Sequence, residues 1–134
     1  MAIEVVGLII SGISSSAALL STWQAFRQRG KEPSSAEVDK ILQEAPTIIG
    51  SASASVLATV IPSDILDVIR DNIEKAKKRL ADALKDPANT QQDKDKEVAV
   101  ARSTICAELS RIRILNQGQL PHDIEDLWGA FGCT

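Results

Sequence analysis

The stretch VVGLIISGISSSAALLSTWQAF, residues 5–26, contains no charged side chain, although Glu4 precedes it and Arg27 follows it. As a helix these residues would be about 33 Å long, close to the hydrocarbon thickness of a bilayer. The run is nevertheless unlike an ordinary membrane span. It holds Ser11, Ser14, Ser15, Ser16, Ser21 and Thr22, with Gly7, Gly12 and Gln24. Val6, Ile9, Ile10, Ile13, Ala17, Leu20 and Trp23 recur at helical spacing, and a weak polar stripe of Glu4, Ser11, Ser15 and Thr22 lies opposite. Small hydroxyls can be buried in a bundle, and they can enter lipid by bonding back to the preceding turn.

Three readings follow. The helix is the most buried member of a soluble bundle. Or it is a constitutive anchor or secretory signal, against which Glu4 stands where a signal peptide carries positive charge. Or it packs in the soluble form and inserts when released. Trp23 and Phe26, followed by Arg27, Arg29 and Lys31, suit an interface with lipid headgroups. The same three cations also complement the C-terminal dipole of the helix.

Outward from that run, the chain has the means of one domain. Its 134 residues are enough to bury roughly two-thirds of the surface exposed on unfolding. Fifteen Lys and Arg stand against eighteen Asp and Glu, a net charge of −3, which argues against a nucleic-acid partner. Two Trp, two Phe and no Tyr leave a core built from aliphatic residues. Cys106 and Cys133 lie far apart in the chain and read as neither a disulfide framework nor a metal knot. Cys106 reads as a small buried apolar residue, and Cys133 as an acylation candidate without a prenylation pattern.

The expected fold is all-α: an antiparallel bundle of four main helices with additional short helices, led by the apolar helix. A single domain, 1–134, divides into an apolar helix over 1–30, short helices over 34–61, a long hairpin over 63–116 and a short helix over 121–132. Ser34 or Ser35 caps a short helix carrying Val38, Ile41 and Leu42 inward. Residues 47–61 repeat small side chains at Gly50, Ala54 and Ala58, which permits close approach of another helix. Ser63 caps a helix to about Lys85, with Leu66, Ile69, Ile73, Ala76, Leu80 and Ala83 on one seam. A second long helix runs from about Asp93 to Asn116, and Ile124, Leu127, Trp128 and Phe131 form the stripe of a lid.

Chemistry finds little to work with. There is no phosphate loop, paired-His helix or thiol cluster. His122, Asp123, Glu125 and Asp126 occupy the first turn of a helix, where acids are favoured by the dipole. No His lies within the helix that carries Ser14, Ser15 and Ser16, so nothing there activates a nucleophile. The expectation is a protein that is not an enzyme, with no catalytic residue, metal or cofactor.

The segment Gly7-Leu8-Ile9-Ile10-Ser11-Gly12-Ile13, close to the initiator Met and leading a helical bundle, resembles the HeLo and HeLo-like domains of fungal programmed cell death and the Bell domains regarded as their bacterial counterparts. The resemblance covers the architecture of the whole chain but, in motif, only about its first 26 residues. It implies a membrane-targeting, pore-forming cell-death effector of a bacterial immune system, held quiet until an upstream NLR-like receptor drives self-association. The first helix would then leave the bundle for lipid, moving the protein from the cytoplasm to the inner face of the plasma membrane. On that analogy Val5, Val6, Leu8, Ile9, Ile10, Ile13, Leu19 and Leu20 enter lipid, with Trp23 and Phe26 at the interface end and Arg27, Arg29 and Lys31 on headgroups. No amyloid signalling segment of the kind several relatives carry is found after residue 120. The competing expectation is a non-enzymatic helical adaptor that recruits a protein partner and never touches lipid.

Overall fold

The computed structural model describes residues 2–44 and 51–134, and every regular element among them is helical. In chain order these are α1 (Ala2–Gln28), α2 (Ser35–Glu44), α3 (Ser51–Val60), α4 (Ser63–Lys85), α5 (Gln91–Leu115) and α6 (His122–Ala130). Gly50, the first of the expected small-residue repeat, lies outside the described residues.

The ends of these helices follow from local chemistry. α1 stops at Gly30, whose φ of 74° is readily adopted only without a Cβ. The Lys31 N–H then reaches back to the Phe26 carbonyl at 2.9 Å and the Gly30 N–H to Arg27 at 3.0 Å. This Schellman closure satisfies carbonyls that would otherwise be orphaned. At the start of α2 the Ser34 hydroxyl accepts from the Glu37 N–H at 3.2 Å. Ser63, by contrast, is no cap. The helix begins at Ser63 itself, and the Pro62 carbonyl accepts from the Ile65 and Leu66 N–H groups. α5 starts two residues earlier than expected, because Thr90 and Asp93 form a reciprocal capping box.

The seam expected on α4 is the seam observed: Leu66, Ile69, Ile73, Ala76, Leu80 and Ala83 are all buried. α4 turns back through residues 86–90 into α5, and the pair is antiparallel. Arg79 grips Glu97 through two nitrogens at 2.7 and 3.1 Å, and Asn72 donates to Glu108 at 2.9 Å.

α1 lies at the centre, packed against α4, α3, α2 and α6. Its Gly12 faces Ile73 and Glu74 in the middle of α4. Its far end reaches Asp95, just past the α4–α5 turn, through Trp23 and Arg27. α1 and α4 therefore run in the same sense, with α5 opposed to both. The antiparallel relation expected among the main helices holds for the α4–α5 hairpin. Between α1 and α4 it does not, because α2 and α3 intervene and return the chain to its starting end.

The two cysteines are the clear correction to the sequence reading. Cys106 on α5 and Cys133 beyond α6 form a disulfide, with Cα atoms 5.5 Å apart. Cys106 is thus not simply a buried apolar residue, and Cys133 offers no free thiol for acylation. The pairing was hidden because 27 residues separate the two positions in sequence. The fold erases that distance by laying α6 back over α5 and α1.

The first helix and its cover

α1 carries the candidate site, and its burial varies along its length. Val6, Ile9, Ile10, Ile13, Leu19, Leu20 and Trp23 are all in the core, none more than 4% exposed. Val5 and Phe26 are half-buried, and Leu8 alone among the proposed lipid-entering residues is exposed, at 51%. The outward stripe runs through Glu4, Leu8, Ser11, Ser15, Ala18, Thr22 and Ala25. It is open at both ends and closed in the middle, where residues 12–16 are all buried. The polar stripe read from the sequence is therefore on the right side of the helix, but its centre, Ser15, is covered.

The serines accommodate that burial as hydroxyls do in apolar surroundings. Ser15 Oγ donates to the Ser11 carbonyl at 3.0 Å and Ser16 Oγ to the Gly12 carbonyl at 2.9 Å. Each bond stays within the helix and needs no partner from outside. Ser14 Oγ is buried and has no hydrogen-bond partner among the described residues. One unmet hydroxyl of this kind costs about 1–3 kcal/mol.

The aromatic and basic end of α1 is clamped to the start of α5. Trp23 is 2% exposed, and its Nε1 donates to Asp95 Oδ1 at 3.4 Å. Arg27 shares the same carboxylate oxygen at 3.0 Å. Beside them the buried Lys94 lies 5.8 Å from the Trp23 ring centre and pairs with Glu32 in the turn after α1. Arg29 and Lys31 are exposed. So of the three cations assigned to headgroups, Arg27 is engaged by Asp95, while Arg29 and Lys31 project from the surface. The sequence could not indicate that Lys94 would be buried, because its partner Glu32 is 62 residues away.

α6 completes the enclosure. Ile124, Leu127 and Phe131 are buried against the core. Arg113 of α5 stacks on the Trp128 ring, 5.5 Å from its centre. Gly132, at φ 66°, lets the Cys133 N–H turn back onto the Trp128 carbonyl at 3.1 Å, and that turn brings the thiol to Cys106.

The acidic turn of α6 holds no assembled centre. His122 and Asp126 are 3.9 Å apart and mostly exposed, and no group of three or more His, Cys, Asp or Glu able to hold a metal occurs among the described residues. By length and composition α1 is able to cross a membrane, yet 61% of its most apolar window is buried inside the fold. Comparison with protein-family models, with curated proteins and with solved structures gives no match, so the family resemblance rests on the N-terminal motif alone.

Proposed function

We propose that this protein is a non-enzymatic effector that keeps a membrane-entering helix closed inside a helical domain and inserts it on self-association. The observation that carries this reading is α1 itself: an uncharged stretch of bilayer length that forms the centre of the fold. A core helix needs apolar side chains only where neighbours cover it. Leu8 is uncovered, and so are Ser21 and Ala25, yet no charge appears among them. The exposed positions of α4 and α5 mix charged residues with a few apolar ones such as Val68, Val100 and Ile114, whereas between residues 5 and 26 of α1 no charge interrupts the run at all. The composition of α1 thus suits a second environment without water.

In that second state Val5, Val6, Leu8, Ile9, Ile10, Ile13, Leu19 and Leu20 lie in hydrocarbon, with Trp23 and Phe26 near its edge. Arg27, Arg29 and Lys31 meet anionic headgroups once Arg27 leaves Asp95. The partners are membrane lipid, other copies of the chain and an upstream receptor of the NLR-like kind; the output is a membrane lesion of the type associated with programmed cell death. A lasting disulfide is rare in a reducing cytosol. The location that goes with this reading is the cytoplasm, with movement to the inner face of the plasma membrane on activation; the Cys106–Cys133 bond is the one observation that favours an oxidising compartment instead.

The test uses the exposed positions, because Ile9 and Ile13 are 1% and 0% exposed and their replacement by Asp would break the fold. Leu8→Asp and Ser21→Asp place a charge at positions open to solvent in the closed form. In the inserted form the same charge would sit in hydrocarbon off the helix centre, at a cost below the roughly 2.5–3.5 kcal/mol that applies at the centre. Both variants should keep the circular dichroism spectrum and melting temperature of the parent and lose most dye release from vesicles containing phosphatidylglycerol. Undiminished release from both would end this reading.

The adaptor reading has one observation in its favour. Val56 and Val60 are four residues apart on α3 and exposed at 51% and 40%. A partner helix could dock there without disturbing α1. On that reading Val56→Asp abolishes partner capture, and Leu8→Asp changes nothing.

A further inference from the structure

We propose that the Cys106–Cys133 disulfide is a redox latch: it holds α6 seated on α1, and its reduction by a thiol reductant frees α6 and uncovers the part of the first helix on which α6 lies, the rest staying packed on α4, α3 and α2. The inference deepens the membrane-entry reading and rests on it for its biological consequence, although the latch itself can be tested without a membrane.

The placement of the bond carries the argument. It joins the middle of α5 to the residue that ends the α6 turn, 27 positions later. The segment it closes contains the whole of α6, the element that lies across α1 and α5. No cystine joins α1, α2, α3 or α4 to anything. The bond therefore acts on α6, one part of the cover of α1, and leaves the rest of the domain to its apolar core. Without it α6 is held by Ile124, Leu127 and Phe131 and by the Arg113–Trp128 stack, a small patch for a nine-residue helix. Both cysteines are half-buried at the edge of the core.

The chemistry balances with two equivalents of a small thiol or one of a dithiol. A reductant thiolate attacks one sulfur, the Cys106–Cys133 bond breaks, and a mixed disulfide forms as the other cysteine leaves as a thiolate. A second reductant thiolate then displaces the remaining cysteine. The protein gains two electrons and two protons as Cys106 and Cys133 thiols, and the reductant leaves as its own disulfide. Opening a closed loop of this size restores chain entropy to the detached state. The population of open α6 should rise on the order of several hundred-fold.

The experiment uses the full chain, air-oxidised and after treatment with dithiothreitol, alongside the double variant Cys106→Ser, Cys133→Ser. Hydrogen exchange is followed at the α6 amides and at Ile69, Ile73 and Leu80 of α4. Reduction should accelerate α6 exchange at least about a hundred-fold while α4 is unchanged, and the double variant should show the fast α6 rate with or without reductant. Equal α6 rates in both redox states would overturn the latch, as would α4 and α6 accelerating together, which would make the bond a staple of the whole fold. Two titratable thiols in the air-oxidised protein would overturn it as well. Dye release from phosphatidylglycerol vesicles separates the two ideas. Selective opening of α6 without any gain in release keeps the latch and removes the membrane-entry reading.

Discussion

At the level of single residues, Gly12 shows how tightly α1 is held. A Cβ built there would lie 2.9 Å from Glu74 Oε1 and 3.0 Å from Ile73 Cγ2. The Glu74 carboxylate is the end of a flexible side chain and can move aside. Ile73 is fully buried and cannot move without disturbing its neighbours. Gly12→Ala therefore sets a helix-propensity gain of about 1 kcal/mol against a small displacement of Ile73, and the two nearly cancel. Gly12→Leu has no such balance. It should cost about 1–3 kcal/mol and lower the midpoint of denaturant unfolding with the slope unchanged; a midpoint equal to the parent's would mean that α1 and α4 are less closely packed than this. Asp93 gives a residue-scale prediction in pH. Its carboxylate is held below the usual aspartate range chiefly by the Thr90 backbone N–H, with a further contribution from the Thr90 hydroxyl. A depressed pKa stabilises the fold above the unfolded value and loses that contribution as pH falls through the folded value. The first turn of α5 should thus keep its helical carbon shifts at pH values where free aspartate is already protonated, and lose them only on further acidification. Asp93→Asn should flatten that transition, and an unchanged titration in the variant would remove Asp93 as its cause.

At the level of elements, α1 and α4 were the most legible in the sequence. For α4 the reason is the regular three-four spacing of Leu66, Ile69, Ile73, Ala76, Leu80 and Ala83 between a proline and a polar turn, which leaves one face to bury. For α1 it is the missing charge, which marks a helix suited to apolar surroundings without saying whether protein or lipid supplies them. What stayed hidden depends on distance in the chain. The Thr90–Asp93 box was written locally and could have been read from its T-x-x-D spacing. The Cys106–Cys133 bond and the Lys94–Glu32 pair could not, because only the assembled helices bring those residues together. The α1–α5 clamp is of this hidden kind. Asp95 accepts from both Trp23 Nε1 and Arg27, so Asp95→Ala leaves an indole N–H without its partner at a nearly closed site. The loss should be about 1–2 kcal/mol, from the buried indole rather than from the half-exposed Arg27. Arg27→Ala should cost less than half as much. Equal losses in the two variants, measured by chemical denaturation, would place the energy in the ion pair instead.

At the level of the whole molecule, the proposed release of α1 would be governed by its central position in the fold. In a bilayer its own side chains exchange one apolar environment for another, so Val6, Ile9, Ile10 and Ile13 oppose the move only weakly. The opposition comes from what is left behind. The seam of α4 that faces inward, Ile73 among it, would be left open to water, and each large aliphatic side chain so exposed costs roughly 1.5–3 kcal/mol. Within a single molecule the remaining long helix, α5, already packs on α4 and would leave that groove uncovered. A second copy can cover it: two opened domains can bury their grooves against each other, and the penalty that blocks release in the monomer becomes the force that joins the dimer. Entry should therefore be cooperative in protein and not only in lipid. The initial rate of dye release, measured at fixed vesicle concentration under reducing conditions, should rise with protein concentration at an order of two or more. Cross-linking should trap dimers or larger species in the vesicle fraction, while the unbound protein stays monomeric. A first-order dependence with monomers alone on the vesicles would mean that the groove recloses on the chain's own α6 or on lipid, and that self-association has no part in the release of α1.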